Sequence, residues 1–223
     1  MPPVISFIGW HNSGKTTLAS QVVARLKEKG YTVAVVKSTK DTGIEMDQPQ
    51  TDTAAYRKAG ADSVALVAPD QLIIRGKPPK IDLLGLTCRY FFDMDIVIAE
   101  GFKHAAHVPK IEVRRDEAAP LLRDQVEGVV AVVTDQPLPE GLVFCLDQSR
   151  EIADFIETRL LTASIPPATQ ISLTLDGERI SLPEPLCSQL EATILALLPS
   201  LPAPPHRGAL ELNIRCPPPE ETT

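Results

Sequence analysis

Near the N-terminus, Gly9 is followed by four free residues and then by Gly14, Lys15 and Thr16, the spacing of a phosphate-binding P-loop. No other feature of the sequence restricts the fold as much, because such a loop works only between a buried parallel strand and a helix. VISFI (Val4 to Ile8) is a run of apolar, largely β-branched residues with one Ser, as a strand covered on both faces requires. Leu18, Val22 and Leu26 then recur at helical spacing up to Gly30, which is placed to act as a left-handed C-terminal cap. The residue types follow from the chemistry. Glycines let successive N–H groups turn toward phosphate oxygens, and the helix N-terminus adds its partial positive charge. Gly9, Asn12, Ser13, Gly14, Lys15, Thr16 and Thr17 are therefore the expected cradle, with Lys15 reaching the distal phosphates and the Thr16 hydroxyl serving as a Mg²⁺ ligand.

The rest of the chain repeats the alternation. YTVAVVK (Tyr31 to Lys37) reads as a second buried strand, and a polar segment from Ser38 to Asp52 leaves its nucleotide-side end. Thr53 to Ala59 reads as a short helix stopped by Gly60. VALVA (Val64 to Ala68) and QLIIRG (Gln71 to Gly76) read as a strand pair across Pro69-Asp70. Ile81 to Phe92 is helical and apolar on more than one face, which suggests a helix packed between layers. DIVIAEG (Asp95 to Gly101) has the form of a Walker B strand, four apolar residues ending in an acid that reaches Mg²⁺ or its water; Glu100 is that acid. KIEVR (Lys110 to Arg114), GVVAVVTD (Gly128 to Asp135) and LVFCL (Leu142 to Leu146) supply further strands, and Ser149 to Leu161 a closing helix. These elements predict an α/β fold: a mostly parallel, doubly wound P-loop NTPase sheet with helices on both faces, over residues 1–163.

After about Ser164 the composition changes, with 11 of the 21 prolines beyond that point. ISLTLDGERISL (Ile171 to Leu182) alternates around Asp176-Gly177, a hairpin signal. Leu190, Ile194, Leu197 and Leu198 mark an amphipathic helix, and ALELNI could add a third strand. Residues 164–216 thus read as a small ββαβ module and residues 217–223 as a disordered tail.

A net charge of −7 and the absence of any Lys/Arg run argue against nucleic acid as a partner. No apolar stretch approaches the length of a membrane span, and the N-terminus carries no signal-peptide pattern, so the expectation is a soluble cytoplasmic protein with no membrane partner. Cys88, Cys145, Cys187 and Cys216 are widely separated and read as buried free thiols. His104 and His107 stand three apart without an evident third metal ligand.

GWHNSGKTTL, VVKST, MDQPQTDTAAYRKAGADSV and above all DIVIAEGFK followed by PKIEVRR resemble the MobB family of molybdopterin-guanine dinucleotide biosynthesis proteins, over roughly the first 160 residues. The resemblance implies a homodimer that binds GTP with Mg²⁺ and hydrolyses it slowly beside the guanylyltransferase that joins GMP to molybdopterin. It implies that Lys15 and Thr16 bind phosphate and metal and that Glu100 sits at the metal, and it matches Asp47 and Asp52 to acids of the loop after the second strand. Histidines found there in relatives are replaced here by Lys37, Ser38, Thr39 and Lys40, so no role of theirs carries over.

Two further expectations concern chemistry. Asp135, at the nucleotide-side end of its strand, is positioned to accept from guanine's N1–H and 2-amino group. No Arg lies in the P-loop or directly after Glu100, so hydrolysis should be slow; Arg57, Arg114 or Arg115 could serve only if a second copy brought one across. A P-loop kinase or ATP-dependent ligase, and a nucleotide-switched adaptor without catalysis, are the other classes the same motifs allow.

Overall fold

Strands without polar alternation need apolar cover on both faces, and the computed structural model provides it. It describes residues 1–44, 51–78, 81–162, 173–175, 178–180 and 182–197. In chain order the elements are β1 (Val4–Ile8), α1 (Lys15–Glu28), β2 (Val33–Lys37), α2 (Asp52–Lys58), β3 (Ser63–Val67), β4 (Leu72–Gly76), α3 (Leu83–Tyr90), β5 (Ile96–Glu100), β6 (Lys110–Val113), β7 (Val129–Val133), β8 (Val143–Phe144), α4 (Ser149–Ile156), β9 (Leu173–Leu175), β10 (Glu178–Ile180) and α5 (Glu184–Leu197). A six-stranded sheet runs β2-β5-β1-β6-β7-β8, and every pairing in it is parallel.

Strand alternation divides the core in two. Ile5, Phe7, Ile98, Ile111, Val113 and Val133 face Leu18, Val22 and Leu26 of α1 and Ile152, Ala153 and Ile156 of α4. Val4, Ala34, Val97 and Ala99 face Leu83 and Leu84 of α3, with Val108 from a loop. Each fully buried large side chain, such as Phe7 or Leu26, contributes about 1.5–3 kcal/mol. The chain therefore has the doubly wound arrangement expected. α1 ends as its sequence indicates: Gly30 has φ 92°, its N–H donates to Lys27 O at 3.0 Å, and that of Tyr31 to Leu26 O at 3.2 Å, the Schellman pattern. α4 continues into a wider π-helical segment over Glu157–Thr162 that lays Leu160 and Leu161 against the first core.

Two expectations need correction. α3 is not sandwiched between layers: Leu83, Leu84, Gly85 and Thr87 are buried on the sheet, while Arg89 and Tyr90 are exposed, so its apolar surplus covers one face alone. Nor are the described thiols buried. Cys145 is exposed and Cys88 and Cys187 are half-buried, because they lie on the outer sides of their segments, although all three are free.

β3 and β4 pair as an antiparallel hairpin separate from the main sheet. β9 and β10 also pair as expected, with Leu175 opposite Glu178. The proposed third strand of the C-terminal module, the boundary near Ser164, the tail and Asp47 lie outside the described residues. No helix among the described residues is long and apolar enough to cross a membrane.

Candidate nucleotide site

The loop between β1 and α1 passes close over the end of β6. A Cβ on Gly9 would stand 2.3 Å from the Val113 carbonyl oxygen and 2.5 Å from Ser13 Oγ, so a side chain there would push the loop off the sheet. Gly14, with φ 92°, turns the chain into α1, and Asn12 takes the left-handed conformation at φ 57°, which Asn tolerates better than most residues. At the start of α1 the Leu18 N–H donates to Gly14 O at 3.0 Å. The N–H groups of the first turn therefore lack helical partners and face the loop.

Sheet register assembles the polar end of the site. Glu100 lies opposite Phe7 on one side and Lys37 on the other, so the last residues of β5 and β2 meet where β1 gives way to the loop. Thr16 Oγ1 donates to Glu100 Oε1 at 2.8 Å. The Lys37 ammonium is 3.2 Å from the same carboxylate oxygen and 3.4 Å from Thr16 Oγ1. Lys15 folds back across the loop, donating to Trp10 O at 2.6 Å and to Ser13 Oγ at 3.4 Å. Its pKa is lowered, first by burial and further by Lys37, with Glu100 acting in the opposite sense. Two ammonium groups held beside one carboxylate leave this end with a surplus of positive charge, suited to an anion. A hydroxyl and a carboxylate at 2.8 Å are an oxygen donor set that a hard divalent cation accepts.

On the other side of the α1 N-terminus is a pocket of about 740 Å³, whose lining includes Gly14, Thr17, Arg115, Asp135 and Leu146. Asp135 Oδ1 accepts from Leu146 N–H at 3.0 Å, which fixes the carboxylate at the pocket wall. Lys15, Thr16 and Glu100 thus cluster at one end of the loop, with Thr17 and Asp135 at the other. Asp52 opens α2 as an exposed residue.

Sequence reasoning missed Lys37, whose signal was available: a Lys closing an apolar strand that pairs with the Walker B strand. It also assigned no role to the polar residues of β6, and here the structure is specific. Lys110, Glu112 and Arg114 are all buried. Lys110 Nζ donates to the carbonyls of Ala105, Val108 and Glu127 at 2.8–3.0 Å, and desolvation lowers its pKa. The Glu112 carboxylate accepts from Leu122 N–H at 2.8 Å and Arg123 N–H at 2.9 Å. Arg114 donates to the carbonyls of Glu117 and Ala119. These charges hold the segments beside β6, including the short 3-10 turn Leu122–Asp124, whose N–H groups donate to Glu112. Arg114 is therefore withdrawn as a candidate arginine finger, since its guanidinium is committed within its own chain.

Residues 4–135 match the family model described as MobB, molybdopterin guanine dinucleotide synthesis protein B. The chain belongs to the MobB family. The chain is 30% identical over 161 residues to a molybdopterin-guanine dinucleotide biosynthesis adapter protein of Haemophilus influenzae, covering 71% of this chain and 89% of that one. It is 29% identical over 163 residues to the Escherichia coli protein of the same name, with 70% and 92% covered. Among solved structures, a molybdopterin-guanine biosynthesis protein B aligns with a TM-score of 0.56 at 29% identity, covering 70% of this chain and 98% of its own. A MobB homologue from Bacillus stearothermophilus aligns at 0.54 and 25% identity, covering 71% and 98%. These four relatives each cover about 70% of this chain and leave the rest unmatched.

Proposed function

We propose that this chain acts in molybdopterin guanine dinucleotide biosynthesis as an adapter that binds GTP with Mg²⁺, hydrolyses it slowly, and works in the cytoplasm beside the guanylyltransferase. Membership of the MobB family and relatives named as adapter proteins support the pathway. The observation that carries nucleotide binding is the glycine-bounded loop whose Thr16 hydroxyl meets the Glu100 carboxylate at 2.8 Å beside two lysines. On this reading the loop N–H groups and Lys15 bind the phosphates, and Thr16 and Glu100 hold Mg²⁺. The metal would neutralise charge developing on the phosphates. Asp135 accepts from guanine's N1–H and amino group through the lone pairs not engaged by Leu146; adenine, whose N1 is itself an acceptor, is disfavoured.

Two copies of the chain are expected to associate. Val67, Leu72 and Ile74 of the β3–β4 hairpin and Tyr56 of α2 are each more than half exposed, an apolar surface of the kind that marks a protein contact. Light scattering should report a dimer, and a monomer at tens of micromolar would remove this element.

Calorimetric titration of GTP into wild type, Lys15→Ala and Glu100→Gln tests the nucleotide reading. Loss of the Lys15 charge-assisted bonds, each worth about 1.5–3 kcal/mol, should weaken GTP by about 10–100-fold or more. Glu100→Gln should retain binding in EDTA but lose its Mg²⁺ dependence. Unchanged GTP affinity in folded Lys15→Ala protein would refute the assignment. Turnover faster than one per second without a partner would refute the slow-hydrolysis element and favour a kinase-like enzyme.

A further inference from the structure

We propose that Arg115 binds the α-phosphate of the nucleotide in cis, an inference that rests on the nucleotide reading above. Arg114 and Arg115 are successive residues at the end of a strand, where side chains point to opposite faces. Arg114 turns to the loop carbonyls on one face, and Arg115 turns to the α1 face. There its guanidinium spreads over Gly14: Nε, Cζ and Nη2 lie 3.0, 3.3 and 3.3 Å from the point a Cβ on Gly14 would occupy. Three guanidinium atoms within 3.0–3.3 Å of that one point place the group against the glycine. The side chain is exposed, lines the 740 Å³ pocket with Thr17 and Asp135, and makes no hydrogen bond or ion pair among the described residues.

Position decides which part of a nucleotide it meets. Lys15, Thr16, Lys37 and Glu100 gather at the distal-phosphate and metal end, and Asp135 stands at the base end of the pocket. A group over Gly14 and beside Thr17 lies between them, at the level of the phosphate attached to the ribose. A guanidinium suits that phosphate because its rigid fork can donate two N–H bonds to two non-bridging oxygens. Gly14 is required by its φ of 92°, and a Cβ there would also crowd the guanidinium. An arginine at this level binds GTP, GDP and GMP alike and leaves the γ-phosphate without an arginine.

The test compares wild type, Arg115→Ala and Arg115→Lys by competition of GTP, GDP, GMP and guanosine against a fluorescent GDP analogue, with steady-state GTP hydrolysis alongside. Arg115→Ala should lose about 10–100-fold in affinity for all three nucleotides. Guanosine binding should not change, KM should rise and kcat should hold. Arg115→Lys, which keeps the charge but lacks the flat fork, should recover part of the loss. A loss confined to GTP with a fall in kcat would make Arg115 a γ-phosphate residue, and an equal loss for guanosine would make it a base-stacking one. Either result overturns the proposal, as does unchanged binding in the folded variant. If wild type binds no nucleotide, the nucleotide reading falls together with this one; if wild type binds and only Arg115→Ala departs from expectation, the nucleotide reading stands.

Discussion

Lys37→Met should tighten Mg²⁺ binding to the nucleotide-free protein while making that protein less stable. The Lys37 ammonium lies 3.2 Å from Glu100 Oε1 and 3.4 Å from Thr16 Oγ1. It thereby engages both oxygens assigned to the metal and acts as a cation already seated there. The Glu100 side chain is only 11% exposed whereas that of Lys37 is 56% exposed, so the carboxylate depends on the pair more than the ammonium does. At an effective dielectric of about 20, opposite charges at this distance attract by roughly 5 kcal/mol. Solvent around the lysine reduces the net contribution to about 1 kcal/mol, the expected loss of apo stability. For metal binding the sign reverses. A unit positive charge about 4 Å from a divalent ion costs about 2 kcal/mol even at the dielectric of water, so its removal should strengthen Mg²⁺ by roughly 5- to 30-fold. Calorimetric titration of Mg²⁺ without nucleotide, with urea melts in EDTA and in Mg²⁺, reads both quantities. Mg²⁺ affinity that is unchanged or weaker in Lys37→Met would refute the claim that the lysine and metal compete for the same oxygens.

Asp135→Asn should exchange GTP preference for XTP, because the amide can donate to the C2 oxygen of xanthine; competition binding of GTP, ATP and XTP to both proteins reads this, and an unaltered base preference would mean that Asp135 does not touch the base. Glu112→Ala should cost about 2–5 kcal/mol in urea unfolding, since it strips the N–H groups of Leu122 and Arg123 of their acceptor inside the fold; a cost below 1 kcal/mol would show that the loop relaxes freely. Glu157 has its pKa lowered first by its hydrogen bond from Lys29 and next by that from Tyr31, so its contribution to stability is full above the ordinary value of 4.5 and is lost as pH falls through the lower folded value. Glu157→Gln should therefore flatten the acid limb of the stability-pH profile, and an acid limb of unchanged slope would remove Glu157 from the account.

The sheet was legible because its strands carry two independent signals. VISFI, IVIAE and VVAVV are apolar on consecutive positions apart from Ser6 and the terminal Glu100, as two-sided burial requires, and each is bounded by Gly, Pro or polar residues. α1 was legible through periodicity and its Gly30 end signal, and α3 as an apolar helical stretch whose covered face was misjudged. The placement of the β3–β4 hairpin apart from the sheet was not, because VALVA is as apolar as the central strands and QLIIRG carries an apolar run of three. Local pattern tells that a segment wants cover; it does not tell whether the cover comes from its own chain. The exposed Val67 and Leu72 are where that distinction falls.

The site divides along a similar line. That Lys15, Thr16 and Glu100 lie together was readable from spacing, because a P-loop and a Walker B strand put fixed residue types on a strand, loop and helix. Lys37 was not singled out, and Arg115 was named only as an arginine that a second copy might bring across, since each reaches its own chain's loop through sheet register, one from β2 and the other from the end of β6. PKIEVRR shows why a distinctive motif is a poor guide to chemistry when read alone. Its Lys110, Glu112 and Arg114 are spent on loop carbonyls and N–H groups, while Arg115 alone turns toward the pocket. A strand whose outward face carries buried charges can hold loops on one side and still send the next residue to the opposite side. PKIEVRR therefore sets a loop-holding arginine and a pocket-lining one at adjacent positions. Substituting Arg114 should damage folding, and substituting Arg115 should damage nucleotide affinity in a protein that melts like wild type.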